Sequence, residues 1–236
     1  MSTSLSRAIR ERNNQGSLAV IAELKGRRSE GVDLIRGRSA AEIARVYQSA
    51  GAAALSVVTS RWFGGSLRLL EEVAAAGVGL PILRKDLIAS ERAIEKTKRA
   101  GASAVLLILP LLGLKRLAAM LQAAREASLE PFVEVATRDE IEQVRHIYDG
   151  VIAINNSDIK TGEVQGEGVD RSLNLIDRAD PRLWISASRI AGPDDVRMLA
   201  AAGFNGILIG THLLLADDLA RQTQRIVAAA RTRGTP

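Results

Sequence analysis

LAVIAELKGRRSEG, residues 18–31, joins an apolar strand to two ionisable side chains at its end. Successive side chains of a β-strand point to opposite faces, so Glu23 and Lys25 point to the same face. In a closed parallel barrel both would enter the mouth at the carboxyl end of the strands, where such folds place their chemistry. The alternative is an edge strand that carries a solvated charge pair. The rest of the chain decides between the two interpretations.

The composition is that of a globular protein with ample apolar material for one large core. The chain has 236 residues, of which 47% are hydrophobic and 25% charged. No linker divides it, so we expect a single domain over residues 1–236 that begins with a short polar lead, 1–17. The formal charge of +5 suits an anionic small molecule. Nucleic acid is disfavoured, because the basic residues are spread along helices and only 3% of residues are aromatic.

Cysteine is absent from the chain. Its absence excludes disulfides, thiolate metal sites and a cysteine nucleophile, and it fits a reducing cytosol. The sequence contains no stretch that predicts a signal peptide or a membrane-spanning helix, so we expect a cytoplasmic protein without a membrane partner. With only two histidines, His146 and His212, a metal site is not expected. Both are interpreted as surface or packing residues.

Short apolar runs alternate along the chain with longer segments of helical period, which is typical of successive βα units. The predicted strands are 19–24, 53–58, 81–84, 104–108, 131–135, 151–154, 183–186 and 206–209. The predicted helices are 39–50, 66–76, 90–100, 114–128, 138–148, 171–179, 193–202 and 216–231. Eight such units in a chain of this length predict an α/β fold, a single (β/α)8 TIM barrel. A doubly wound open sheet is the alternative.

Three side chains at the ends of predicted strands are candidates for chemistry. Lys85 follows the third strand, where a lysine can donate a proton, form a Schiff base or bind an anion. Its alternative is a surface lysine that opens a loop. Glu134 lies inside an otherwise apolar strand, where burying a charge without a partner is costly. Asn155 begins an amide pair suited to orienting hydroxyl or carbonyl groups, although an Asn-rich turn explains that pair equally well.

The loops after the seventh and eighth strands contain hydroxyl groups and glycine. Ser188 and Arg189 follow the seventh strand, and Gly210 and Thr211 follow the eighth. In barrels of this kind these two loops commonly bind a phosphate group through backbone N–H groups and hydroxyls. Glycine allows the phosphate to approach the backbone closely. The pattern therefore predicts a phosphorylated small-molecule substrate.

Seven stretches of the chain match one known family: IAELK at 21–25, LSVVTSRWFGGS at 55–66, PILRKDLI at 81–88, GASAVLLI at 101–108, PFVEV at 131–135, AINNSDIKT at 153–161 and GILIGTHLL at 206–214. In these stretches the chain resembles the indole-3-glycerol-phosphate synthase family of tryptophan biosynthesis. The stretches occur in the family's order and extend over nearly the whole chain. The resemblance implies a (β/α)8 barrel, a carboxy-lyase that closes an indole ring, and no metal or organic cofactor.

The resemblance also implies roles for individual residues. Lys85 corresponds to the general acid, Glu134 to the general base, and Lys25 to a second lysine that steers the substrate and donates a proton. Glu23 and Asn155 complete this polar set. The remaining expected contacts to the substrate or its phosphate are Ser188, Arg189, Gly210, Thr211, Arg28 and Phe63. We expect a monomer or a weak homodimer.

Several positions depart from the family pattern. A carboxylate expected after strand seven is Ala187, and a glycine of the phosphate site is Arg189. The arginine that follows the paired amides in the family is Ser157, whereas a family serine near strand one is Arg28. An arginine has in effect moved across the pocket. The loop 161–168 also looks enlarged.

These departures keep several functions open. The leading hypothesis is the ring-closing synthase, which acts on 1-(2-carboxyphenylamino)-1-deoxyribulose 5-phosphate with loss of CO2 and water. A paralogue with a related phosphorylated aminosugar as its substrate is one alternative. A Schiff-base phosphosugar aldolase that uses Lys25 or Lys85 is another. A barrel that binds phosphometabolites without catalysis is the third.

Overall fold

Eight parallel strands close into a barrel in the computed structural model, which describes residues 4–28, 30–157 and 168–231. The strands are β1 (Ala19–Leu24), β2 (Ala54–Val58), β3 (Ile82–Lys85), β4 (Ala104–Ile108), β5 (Glu130–Val135), β6 (Val151–Asn155), β7 (Leu183–Ala187) and β8 (Gly206–Ile209). They follow one another around the sheet in chain order, and β8 pairs with β1. The prediction of a (β/α)8 barrel is confirmed, and the open sheet is excluded because the ring closes.

Helices connect the strands and surround the barrel. They are α1 (Leu5–Asn14), α2 (Ala40–Ser49), α3 (Leu67–Ala75), α4 (Glu91–Arg99), α5 (Leu109–Glu126), α6 (Arg138–Arg145), α7 (Asp170–Leu175), α8 (Pro193–Ala202), α9 (Thr211–Leu214) and α10 (Leu219–Ala229). Ser39 and Thr137 are the N-caps of α2 and α6, and each forms a capping box with the glutamate three residues later. Over the described ranges, we find no helix with the length and apolar character needed to cross a bilayer.

Two helices lie where the sequence pattern predicted none, and a third begins early. Helix α1 occupies the predicted polar lead, and α9 is a single turn after β8. Helix α5 begins at Leu109 rather than at residue 114, with non-helical φ and ψ at Gly113. A glycine tolerates the positive φ of 69° at this break. The loop 161–168, apart from Gly168, lies outside the described residues.

The apolar side chains form two layers because successive residues of each strand face opposite sides. Ile21, Leu106 and Phe132 belong to the cluster inside the barrel, whereas Val20 and Leu107 pack between the sheet and the helices. This alternation determines which polar residues enter the barrel. A residue two places after an interior side chain also faces inward, at the carboxyl end of the strand.

Helix α1 closes the amino end of the barrel. Leu5 and Ile9 are fully buried and belong to the interior cluster. The carboxylate of Glu130, at the start of β5, accepts a hydrogen bond from the backbone N–H of Ser6 in the first turn of α1. The interior is therefore packed from this end of the barrel.

Candidate functional site

A cavity of about 380 Å³ opens at the carboxyl end of the barrel. Nearly all of the predicted site residues line it, namely Glu23, Lys25, Arg28, Phe63, Lys85, Ser188, Arg189, Gly210 and Thr211. Glu134 and Asn155 are absent from the described lining and lie buried in the barrel beside each other. Ser157 and His212 also line the cavity, although neither was predicted as a contact.

Glu23 bridges the two lysines of the cavity. Its Oε1 lies 3.4 Å from Lys25 Nζ, and its Oε2 lies 3.3 Å from Lys85 Nζ. The side chain of Glu23 is only 4% exposed, and the two lysine side chains are 10% and 12% exposed. Burial by itself would raise the pKa of Glu23, but attraction to Lys85 and then Lys25 outweighs it and lowers the pKa. Glu23 is therefore an anion that holds two ammonium groups side by side.

Two neighbours hold Glu23 in position. The hydroxyl of Tyr47, a fully buried residue of α2, donates to the Glu23 carbonyl oxygen at 3.0 Å. Gly210 packs directly against the Glu23 side chain, since a Cβ there would lie 2.7 Å from Glu23 Oε1. The absence of a side chain at position 210 is therefore explained by the packing of Glu23 alone, without the bound phosphate that the sequence pattern predicted. Sequence reasoning missed the contact because the two residues are distant along the chain.

Lys25 also contacts an aromatic ring. Its Nζ lies 5.6 Å from the centre of the Phe63 ring, within the range of a cation–π interaction. The backbone N–H of Arg27 donates to the Phe63 carbonyl oxygen at 2.9 Å, which joins the loop after β1 to the loop after β2. The ring is thus placed by the backbone on the wall beside the lysine.

Lys85 is the last residue of β3, and its two chain neighbours anchor it. Arg84 points outward and is buried, with Nε donating to Thr59 Oγ1 at 2.8 Å and Nη1 donating to Thr97 Oγ1 at 2.9 Å. Its Nη2 donates to Asp86 Oδ2 at 2.9 Å, and that oxygen also accepts from the Thr59 hydroxyl at 2.6 Å. The network holds the backbone on both sides of Lys85 against α4.

Glu134 and Asn155 form a buried pair inside the barrel. Asn155 Nδ2 donates to Glu134 Oε1 at 2.9 Å, and Asn155 Oδ1 accepts from the Ser157 N–H at 2.9 Å. The two residues are 2% and 1% exposed. Arg171 donates to the Asn155 carbonyl oxygen at 2.7 Å. Asn155 thus orients a carboxylate, whereas the amide of its neighbour Asn156 donates to the Ser186 hydroxyl and ties β6 to β7.

Ser188 and Arg189 form an unusual turn after β7. Both residues have positive φ, 68° and 61°, in the region that side-chain-bearing residues seldom adopt. Arg189 Nε donates to Ser157 Oγ at 3.3 Å, so the side chain leans toward the end of β6. The Arg189 side chain therefore reaches position 157, where the family pattern has an arginine and this chain has a serine.

Arg28 lies at the outer edge of the cavity. Its Nε is 3.1 Å from Glu30 Oε2, and the two side chains are 42% and 48% exposed. His212 lies beyond Thr211 and contacts the side-chain amide of Gln222. Burial, followed by repulsion from Arg225, lowers the pKa of His212 and favours the neutral ring. Its place after the Gly-Thr pair was the available clue to a cavity residue.

Positive charge exceeds negative charge on the described lining. The described lining contains four basic residues, Lys25, Arg28, Lys85 and Arg189, and two acidic residues, Glu23 and Glu30. A surplus of cations in a concave site attracts and orients anions. Buried lysines that share one carboxylate can also deliver protons to a carbonyl or hydroxyl oxygen. Among the described side chains, no group of three or more His, Cys, Asp or Glu residues is arranged to hold a metal ion.

The chain is similar to proteins of one family along nearly its whole length. A family model described as indole-3-glycerol phosphate synthase matches residues 1–226. The indole-3-glycerol phosphate synthase of Desulforamulus reducens is 36% identical over 217 residues, which span 92% of this chain and 81% of that protein. The one of Thermococcus kodakarensis is 38% identical over 216 residues, or 91% and 92% of the two chains. The chain therefore belongs to the indole-3-glycerol phosphate synthase family.

Proposed function

We propose that the protein closes the indole ring of 1-(2-carboxyphenylamino)-1-deoxyribulose 5-phosphate, a carboxy-lyase reaction of tryptophan biosynthesis that releases CO2 and water. The observation that carries the proposal is the pair of largely buried lysines that Glu23 holds at the carboxyl end of the barrel, in a chain that belongs to this family. A cavity with surplus positive charge suits a substrate that bears both a carboxylate and a phosphate.

In the first step a carbon of the aromatic ring attacks the ketone and forms the new carbon–carbon bond. The electron pair of the carbonyl group moves to its oxygen, which takes a proton from Lys85, the proposed general acid. The bond from the ring to its carboxylate then breaks, CO2 leaves, and the electron pair restores the ring system. Arg84 and Asp86 support this step by holding Lys85 at the end of β3.

In the second step the new hydroxyl group leaves as water. The hydroxyl group takes a proton from Lys25. Glu134, the proposed general base, removes a proton from the neighbouring carbon of the new ring, so that the double bond of the indole can form. The hydrogen bond from Asn155 orients the Glu134 carboxylate. We assign the phosphate to the hydroxyl and backbone groups of Ser188, Gly210 and Thr211, in the loops after β7 and β8.

Turnover can be measured by the fluorescence of the indole product when purified protein is mixed with the substrate. We expect Lys85→Ala to lower kcat by about 10²- to 10⁴-fold, the usual contribution of a positioned general acid. Lys96→Ala, which changes a lysine on the exposed face of α4, should leave kcat unchanged. The absence of product at high concentrations of the wild-type protein would reject the proposal.

A paralogue with a related phosphorylated aminosugar as its substrate is the second candidate. Ala187 favours it, because a buried methyl group stands where the family pattern has a carboxylate. Comparing kcat/KM across aminosugar phosphates with different aryl groups separates the two. Borohydride trapping followed by mass spectrometry tests the Schiff-base alternative, since ring closure requires no covalent adduct with a lysine.

Cellular location and assembly are part of the same proposal. We place the enzyme in the cytoplasm, as a cysteine-free protein of a biosynthetic family. We also propose that it works as a monomer or weak homodimer, because each chain contains the complete set of proposed catalytic residues. Sedimentation at several concentrations measures the assembly state, and a stable larger oligomer would contradict it.

A further inference from the structure

The turn at Ser188 and Arg189 stores backbone strain at the edge of the cavity. Within the described ranges, the residues other than glycine with positive φ are Arg36, Ser128, Ser188 and Arg189, and only the last two are adjacent. A left-handed conformation brings Cβ too close to the following carbonyl oxygen, so each such residue has an energetic cost. Conformations of this kind persist where the surrounding structure requires them, and they cluster at ligand sites.

The strained turn sends the Arg189 side chain toward a rigid anchor. Its Nε donates to Ser157 Oγ at 3.3 Å, and Ser157 is only 2% exposed. The backbone of Ser157 is held at both ends, because its N–H donates to Asn155 Oδ1 at 2.9 Å and its carbonyl accepts from Arg171 Nη1 at 3.0 Å. Since Nε lies nearest the chain, this bond orients the plane of the guanidinium and the two terminal nitrogens beyond it.

The direction of the side chain separates it from the proposed phosphate site. Around the barrel the order is β6, β7 and β8. Ser188 of the proposed phosphate site directly precedes Arg189, but the Arg189 side chain leans toward β6, whereas Gly210 and Thr211 follow β8 on the other side of β7. The planar guanidinium fork matches a carboxylate in a two-bond arrangement. A substrate with two separate anionic groups therefore meets two separate sites.

We propose that Arg189, anchored on Ser157, binds the carboxylate of the substrate and determines specificity for it. This inference rests on the proposed function, because it assigns one of the two anionic groups of that substrate. The carboxylate leaves as CO2 during the reaction, so the product has no group for this contact. Arg189 consequently distinguishes substrate from product while the phosphate site holds both.

Binding to unreactive ligands tests the assignment. Isothermal titration calorimetry would measure two analogues in which the ketone is reduced to an alcohol, one with the aryl carboxylate and one without it. We expect Arg189→Gln to weaken binding of the first analogue by about tenfold to a hundredfold, the loss typical of a charge-assisted hydrogen-bond pair. Binding of the second analogue should change by less than about twofold, since a removed contact affects only the group that made it.

A matched control and a transplanted arginine complete the experiment. Arg36→Gln also removes an arginine of positive φ, but Arg36 is not among the described lining residues; its side chain donates to the Leu215 carbonyl oxygen and pairs with Asp217. This variant should leave both affinities unchanged. The double variant Ser157→Arg with Arg189→Gly moves the arginine to the position that the Arg189 side chain contacts. Glycine at 189 also removes the backbone strain of the positive φ. We expect this variant to regain most of the affinity for the carboxylate analogue.

The possible results separate this inference from the proposed function. An equal loss for both analogues would make Arg189 a phosphate contact and overturn the carboxylate assignment, as would no loss for either. If the wild-type protein binds neither analogue, both proposals fail. If it discriminates the analogues through Arg189 but forms no indole product, the carboxylate site stands and only the proposed turnover is rejected.

Discussion

Adding one methyl group at Gly210 tests whether the position of Glu23 governs the activity. The φ of Gly210 is −136°, outside the left-handed region that favours glycine, so we expect Gly210→Ala to act mainly through its Cβ. That Cβ would lie 2.7 Å from Glu23 Oε1 and 2.8 Å from Glu23 Cβ. Ordinary contacts begin near 3.4 Å, so Glu23 or the loop must move by about 0.7 Å to relieve the clash.

The displacement should affect catalysis more than binding. Glu23 holds Lys25 and Lys85 at 3.4 and 3.3 Å, and a shift of this size moves both proposed proton donors away from their working positions. A misplacement of about 1 Å can cost a hundredfold, so we expect kcat to fall by about tenfold to a hundredfold with a smaller change in KM. The free energy of unfolding should fall by about 1–3 kcal/mol, as for other overpacked sites.

Product fluorescence gives kcat and KM, and denaturant unfolding gives stability. Gly192→Ala is the matched control, because a Cβ there lies 3.8 Å from the nearest atom, on the His212 ring. With Glu23→Gly as background the clashing atoms Oε1, Cβ and Cγ are all gone, so Gly210→Ala should then change kcat by less than about twofold. If the losses in kcat from the two substitutions were additive in this double-mutant cycle, the role given to Glu23 would be refuted. The same would follow if Gly210→Ala left kcat unchanged and only weakened inhibition by inorganic phosphate.

Three further predictions concern stability. Arg84→Met leaves the partly exposed Asp86 without its cation, so we expect the free energy of unfolding to fall by about 1–3 kcal/mol and kcat to fall with it; retention of both would contradict the anchoring of β3. The pKa of Glu23 is lowered from 4.5, so its ionised form stabilises the fold above about pH 4.5 and that contribution disappears as pH falls through the lowered value. Glu23→Gln should therefore flatten the decline of unfolding free energy below that pH in denaturant titrations, whereas the exposed control Glu71→Gln should follow the wild-type curve. Leu5→Ala should lower the unfolding free energy by about 2–5 kcal/mol in the same assay without changing KM; no loss would mean that α1 does not support the barrel.

Strand periodicity accounts for what could be predicted from the sequence. Eight apolar runs separated by helical segments are enough to specify the barrel, and the predicted strand ends differ from the observed ones by at most one residue. The alternation of side chains also places Glu23 and Lys85 on the inner face, two residues after Ile21 and Leu83. These are local consequences of the pleat, so a single sequence contains them.

The features that were not predicted depend on contacts between distant residues or on short helices. Helix α1 is short and mostly polar, with only Leu5, Ala8 and Ile9 buried, so its i, i+3, i+4 spacing was overlooked in the polar lead. The packing of Gly210 against Glu23 and the bond from Arg189 to Ser157 join loops that the barrel brings together. A local sequence pattern contains no information about contacts between residues so far apart along the chain.

The neighbouring cations of β3 also bear on how the protein can be engineered. Lys85 faces the cavity and Arg84 faces the surrounding helices, so adjacent codons experience unrelated selective pressures. Substitutions at position 85 should change the chemistry of the cavity while the protein still folds. Substitutions at position 84 should mainly lower the fraction of variants that fold. Alternation along the strand thus lets a pocket diversify by single substitutions while its scaffold stays intact.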